Sequence, residues 1–509
     1  MSFTCLQEDS CYLGGIVTVR PPGTGYVLAR LRQCLNVAIA ARSPAGRTHA
    51  LSRAVLCATL GVVLATVTAR ADDAEDRMTT VPSPSIATSL PQQGDPGGVR
   101  HWLGEHGVYY GLVYTGEVLA NVSGGLRRGA IYEDKFETYL AADFEKLTGW
   151  KGLTFYSNQF WIHGTGNLGR EFVGNLITIS NIEALPSNRL SEIWLQQKLF
   201  DDKVSVRVGQ LTTDAEFFNS KYFDLFITSD WPAITAEDLP SGGPAYPLST
   251  PGARLAIQPV KDLSVLLAVF NGDPAGPGPG DAEVKNRHGL NFRLRDPPLV
   301  IGEAQYGINQ DKSATGLATM LKLGGWHHFG QFEDQRFDIR GLSLANPLSS
   351  GIAAPLRGND GIYGIIDQQI YRPPGGDADS GIAWFSRISA SPSDRNLIDF
   401  YADGGIIFSG MVPGRPDDKF GASFLYAHIS DRVAAFDRDT ILFTGMPQPI
   451  RDFEMSLEFT YQAQIRPGWT VQPDFQYIFN PGGNVSNPSA PSLPIRDAAV
   501  FGVRTTLTY

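Results

Sequence analysis

Residues Phe453–Ile465 read FEMSLEFTYQAQI. The odd positions carry Phe453, Met455, Leu457, Phe459, Tyr461, Ala463 and Ile465; the even positions carry Glu454, Ser456, Glu458, Thr460, Gln462 and Gln464. Successive side chains of a strand point to opposite faces, so the segment is a strand with one apolar and one polar face. Trp469–Phe479 repeats the pattern, with Trp469, Val471, Pro473, Phe475, Tyr477 and Phe479 opposite Thr470, Gln472, Asp474, Gln476 and Ile478. The last stretch sets Ala499, Phe501, Val503, Thr505, Leu507 and Tyr509 against Val500, Gly502, Arg504, Thr506 and Thr508. Soluble strands usually run about 5–6 residues. These are twice as long, and a tilted strand needs about 9–11 residues to cross a bilayer. Aromatic residues close the strands at Phe453, Trp469, Phe479 and Tyr509, as in the interfacial girdle of a transmembrane barrel.

The connections fit the same picture. Arg466-Pro467-Gly468 is a tight turn, whereas Asn480–Ala498 is long and rich in Gly, Pro, Ser and Asn. Short turns at one end and long loops at the other are the asymmetry of an outer-membrane barrel. Less regular strands are expected at Lys135–Glu145, Gly152–His163, Ser191–Phe200, Val204–Leu211, Gly252–Gln258, Leu263–Phe270, Gly289–Arg295, Val300–Gln310, Ala318–Gly325, Gly361–Tyr371, Ile382–Ser389 and Lys419–Ile429, with room for more in Tyr109–Ser123 and Asp399–Phe408. The expected fold is an all-β antiparallel transmembrane barrel of 16 strands with an aqueous lumen.

Composition excludes the competitors. With 42% hydrophobic and 11% aromatic residues among 509, the chain is not disordered; with 55 Gly and 34 Pro it is not a coiled coil. A net charge of −10 disfavours nucleic acid. Mean hydropathy is −0.11 and the expected mature region has no run of 18 apolar residues, which argues against a helical membrane bundle.

The N-terminus reads as a presequence. Arg47 and Arg53 precede the apolar run Ala54–Ala69, and Ala69-Arg70-Ala71 supplies a small-residue cleavage motif. Cleavage is expected after Ala71, and residues 1–46 are expected to reflect a start upstream of the true one, near residue 48. All four cysteines (Cys5, Cys11, Cys34, Cys57) fall within residues 1–71, so the expected mature chain has no disulfide, Cys-ligated metal or Cys nucleophile. That segment also holds seven of the 42 basic and two of the 52 acidic residues, leaving a mature net charge of −15. Residues 72–98 read as a flexible periplasmic leader, and Val99–His106 as a short helix ended by Gly107. The barrel with this helix is expected over 99–509.

Ordered blocks along the chain resemble the carbohydrate-selective porins of the OprB type. They are Tyr114–Gly125 (YTGEVLANVSGG), Leu147–Gly152, His163-Gly164, Ile182–Pro186 with Glu192 and Trp194, Val208-Gly209-Gln210, Pro244–Pro247 with Pro251-Gly252, Tyr461-Gln462, Gln472–Asp474 and Gln476-Tyr477 through Asn480–Gly483. The likeness runs from about residue 100 to 509; residues 326–360 follow no family pattern. It implies a 16-stranded barrel in the outer membrane and passive diffusion of glucose-like monosaccharides, with monomer and homotrimer both open. Outer-membrane lipid is the surrounding partner; no nucleic acid, cofactor or metal is expected.

A neutral sugar offers hydroxyl edges and an apolar ring face, so charged or amide groups and aromatic platforms in the lumen would select it. The polar faces supply Glu137, Tyr139, Glu192, Trp194, Arg207, Arg254, Arg293, Glu454, Glu458, Asp474 and Gln476; Trp161 and His163 share a face with Ser157 and Gln159 and join the candidates. The blander role for each is hydration of the wall or a cross-strand ion pair. His327-His328 points to no shared metal, because adjacent strand residues face opposite ways. Asp-rich loops such as the one at Asp311 would bind calcium only loosely. No GxSxG, HExxH or P-loop motif occurs in the mature region, so an outer-membrane barrel enzyme is disfavoured. A general channel without sugar selectivity and a soluble secreted lectin stay open beside the sugar porin.

Overall fold

The computed structural model describes residues 84–509 except 91–93, 229–230 and 312; the expected presequence and its cleavage site lie outside the described residues. The strands are β1 (Val108–Gly125), β2 (Gly129–Asp143), β3 (Leu153–Gly164), β4 (Ser187–Leu199), β5 (Val204–Leu211), β6 (Thr250–Val260), β7 (Leu263–Asn271), β8 (Pro298–Ile308), β9 (Thr319–Asp338), β10 (Ala353–Tyr371), β11 (Gly381–Ala390), β12 (Ile398–Ser409), β13 (Lys419–Ile429), β14 (Phe453–Arg466), β15 (Trp469–Phe479), the small hairpin β16 (Ser486–Asn487) and β17 (Ala490–Pro494), and β18 (Arg496–Thr508). All but β16 and β17 form one closed barrel of 16 strands in meander order, with β18 pairing β1 and β15. Every pairing is antiparallel, for example Glu117↔Arg504 across the closing seam and Phe475↔Phe501 between β15 and β18.

Polarity is inverted relative to a soluble domain. Phe459, Phe501 and Val503 are about half exposed on the outside, while Glu454, Glu458 and Gln476 are fully buried inside. Outward rings meet across neighbouring strands, Phe475 lying 4.7 Å from Phe501 and 6.4 Å from Phe459. Inward rings lie along the wall instead. Tyr139 covers Gly111 and Tyr363 covers Gly324 so closely that a Cβ on either glycine would stand 2.2 Å from a ring carbon.

Both chain termini of the barrel lie at one end, where connections such as Lys261-Asp262 and Pro467-Gly468 are short. At the other end residues 165–186, 212–249, 272–297 and 430–452 form long loops, the side that faces outward in such barrels. Tyr109–Ser123 and Asp399–Phe408 are indeed strands, within β1 and β12. Gly289–Arg295 is not. Gly289 and Phe292 have φ of +65° and +42°, and Arg293 is tied to Asp296 three residues on, so the alternating Leu290, Phe292 and Leu294 belong to a loop.

The helix Val99–Glu105 ends at Gly107 with φ +81°. Its Arg100 lies 4.5 Å from the Tyr509 ring and donates to the Tyr110 carbonyl at 3.0 Å. The described part of the expected flexible leader is seated on the barrel. Ser85 caps the turn Ile86–Ser89, Ser89 donates to the Pro467 carbonyl, and the Tyr509 hydroxyl donates to the Gly94 carbonyl at 2.6 Å. Local hydrogen bonds to the short-turn end of the barrel supply the order that composition did not reveal.

Candidate functional site in the barrel lumen

Two of the long loops fold inward. The loop 165–186 is held by β14, β15 and β18. Glu454 accepts from the backbone N–H groups of Leu176 and Ile177 at 2.7–3.0 Å, Gln476 donates to the Ile179 carbonyl, and Arg504 donates to Ser180 and Asn181. Arg504 is also paired with Glu117 at 2.7 Å.

The loop 212–249 crosses from β5 to the far wall. Glu216 is clamped between Arg207 (2.8 Å) and Arg254 (2.6 Å). Further along, the Phe218 N–H donates to Glu303 and its carbonyl accepts from Arg387, which is itself paired with Asp403. Asp367 accepts from Ser220 and from the Lys221 N–H, and Glu458 accepts from the N–H groups of Ile227 and Thr228. The strand carboxylates thus act as posts for loop backbone. An unpaired peptide N–H in so enclosed a space costs about 1–3 kcal/mol, which explains why a carboxylate stands opposite each one.

The candidates divide accordingly. Glu137, Tyr139, Glu192, Trp194, Arg207 and Arg254 lie together on the inner wall of β2 and β4–β6, and Glu454, Glu458, Asp474 and Gln476 on the inner wall of β14–β15. Glu137 accepts from Asn158 at 3.0 Å, and Glu192 accepts from the Thr212 N–H at 3.4 Å at the root of the crossing loop. Arg207 lies 3.9 Å over the Trp194 ring, which stacks on Tyr156, which stacks on Tyr139.

Trp161 and His163 do not line the lumen. Trp161 pairs with the outward Phe136, rings 5.5 Å apart, and His163 bonds to Asp134 on the same outer face. Their inward neighbours are Phe160 and Ile162, because here the wall packs against loops rather than water. Arg293 also leaves the wall set, since it lies in the loop 272–297 with its guanidinium on Asp296. His327 and His328 face opposite ways: His327 meets Asp360, His328 the Gly272 carbonyl.

Residues missed by the sequence reading complete the site. Lys135 sits two positions before Glu137 on the same inward face, with its ammonium 4.8 Å from the Phe160 ring and 5.0 Å from the Tyr246 ring. Period two from Glu137 would have reached it. Glu117 was hidden by the loose pattern of β1, and Glu216 and Tyr246 by their place in a loop without periodicity.

Loop carboxyls respond to their surroundings in opposite directions. Burial pushes Glu183 up to about 7, against the N–H groups of Gly169 and Ile179. Burial also pushes on Glu216, but Arg207 and Arg254 together hold it below the usual carboxylate range.

The model of the family described as "Carbohydrate-selective porin, OprB family" matches residues 127–509. Porin B of Pseudomonas aeruginosa is 26% identical over 405 residues, covering 77% of this chain and 87% of its own length. The high-pH structure of Pseudomonas putida OprB superposes with a TM-score of 0.71 at 23% identity, covering 82% of this chain and 97% of that one.

Proposed function

This chain belongs to the carbohydrate-selective porin OprB family, and from that membership we propose how its lumen passes sugar. It is a sugar-selective porin of the outer membrane, a channel by family and fold. In our reading the solute is a glucose-like monosaccharide moving passively down its gradient.

The observation that carries this reading is the grouping of Lys135, Glu137, Phe160 and Tyr246. A cation, a carboxylate and two ring faces stand within one small region of the inner wall, and Lys135 and Tyr246 are only half-buried. Such a group offers donors and acceptors to hydroxyl edges and a flat surface to the pyranose ring, while each contact stays weak enough for release. Glu192, Trp194 and Arg207 extend the same arc. Glu454 and Glu458 serve the path indirectly, by fixing the loops that narrow it.

Single-channel conductance in planar bilayers with glucose titration tests the assignment. Glucose is expected to block at millimolar concentration in the parent protein, and Lys135→Ala or Glu137→Gln to weaken block at least fivefold. Unchanged block in both variants would place the path elsewhere.

A further inference from the structure

The outer wall carries a recess that sugar passage leaves unused. β5 turns into the lumen after Leu211, so the β4–β5 ladder begins only at Ile193↔Gln210 and leaves the first half of β4 without a β5 neighbour. Residues 286–295 of the loop 272–297 fill this place. The His288 carbonyl accepts from the Leu190 N–H at 3.0 Å, the Gly289 carbonyl accepts from Gln210 at 2.8 Å, and Arg287 donates to the Pro186 carbonyl at 3.1 Å. Between this segment and the ends of β3 and β4 lies a cavity of about 430 Å³, lined by Trp161, His163, Pro186, Asn188, Arg287 and His288 among others. Trp161 and Asn188 are a paired couple on the outward face, so the cavity opens on the lipid side, at the end bearing the long loops.

Its chemistry has two parts. Arg287, His288 and Arg295 are exposed, and between them Leu290, Phe292 and Leu294 are 59%, 46% and 81% exposed. The neighbouring carboxylates are engaged elsewhere: Asp134 by Tyr132 and His163, Asp281 and Glu283 by Arg170. Among the described residues no carboxylate pairs with Arg287. A basic, apolar-striped patch on the outside of an acidic barrel complements an anionic amphiphile.

We propose that this recess binds the phosphorylated headgroup of an outer-leaflet lipid, with Arg287 and His288 on the phosphate and the acyl chains over Leu290, Phe292 and Leu294. The inference rests on the outer-membrane placement and is independent of which solute crosses the lumen.

Native mass spectrometry of the detergent-solubilised full chain tests it, using diphosphorylated lipid A, its dephosphorylated form and inorganic phosphate as probes. The parent protein is expected to retain the diphosphorylated lipid at least fivefold better than the dephosphorylated one, and the R287A/H288A double variant to lose that preference while glucose block is unchanged. Heat-modifiable migration reports folding of the variant; if it does not fold, R287Q alone is expected to lower retention at least threefold. Equal binding of both lipids, full retention by the variant, displacement by equimolar inorganic phosphate, or an altered oligomeric state in place of altered lipid binding would each overturn the proposal. Altered glucose block in a variant that has lost its lipid preference would speak against the lumenal reading alone.

Discussion

The hydroxyl of Tyr246 donates to the carbonyl of Ile182 at 2.8 Å, so the two loops inside the barrel are tied to each other as well as to the wall. Tyr246→Phe removes this tie and keeps the ring. We expect a stability loss of about 1 kcal/mol, higher conductance and weaker glucose block. Thermal melting followed by bilayer recording checks it; unchanged conductance would mean that the wall contacts alone hold the loops.

Glu216 neutralises two arginines at once. Glu216→Ala leaves both guanidinium groups enclosed without their carboxylate, a loss on the order of 3–5 kcal/mol. The lumen also becomes more positive, so the reversal potential in a salt gradient should move toward anion selectivity. A cation-selective shift would contradict the clamp.

Removing a loop post has a different signature. Glu458→Ala unpairs the N–H groups of Ile227 and Thr228, which are otherwise satisfied by its two oxygens. The loop 212–249 should then become sensitive to limited proteolysis, with increased conductance, whereas β14 itself stays intact because its ladder is backbone. Resistance to protease equal to the parent protein would show that Asp367 and Glu303 suffice.

Stability should depend on pH through two loop carboxyls with opposite signs. Glu183 is held up to about 7 from its ordinary 4.5, so the folded state keeps a proton that the unfolded chain gives up. Its contribution falls as pH rises from about 4.5 to about 7. Glu183→Gln mimics the protonated form, accepts from Gly169 as before, and should flatten the loss of melting temperature between pH 5 and pH 8. Glu216 behaves oppositely: its lowered affinity for protons stabilises the fold above the ordinary carboxylate range, and that support goes as pH falls through the lowered value. A steeper loss at pH 8 in the Glu183→Gln variant would refute the first sign.

Trp161 and His163 face outward, so Trp161→Ala and His163→Ala should leave glucose block within about twofold of the parent, inside the roughly 0.5 kcal/mol expected of a surface change. A tenfold effect from either would return them to the solute path.

The alternation in β14, β15 and β18 was legible because their inner face meets hydrogen-bonding loop backbone and water while their outer face meets lipid. The same logic failed at β3. There the inward Tyr156 and Phe160 pack on other rings, Trp194 of the wall and Tyr246 of the crossing loop, with Ile162 buried beside them, and the polar Ser157, Gln159 and His163 lie outside. The β-bulge opposite Ser157–Gln159 lies in β4, where Leu190 to Ile193 spans three residues, and leaves the period of β3 itself intact. The loop 286–295 imitates a strand because it patches the place that β5 leaves. The anchoring of the inner loops by Glu454 and Glu458 was not readable, since the loop peptide groups they hold lie some 230–278 positions away in the chain.

The rings of Tyr139 and Tyr363 lie flat only because Gly111 and Gly324 carry no side chain. An added methyl, as in Gly324→Ala, would have to displace the ring from that bed and tip it toward the axis. Tyr363 in turn carries Phe218 of the crossing loop, the two rings stacked 3.6 Å apart, so the seat of that loop depends on the smallest residue beneath it, and one added carbon atom is enough to unsettle it.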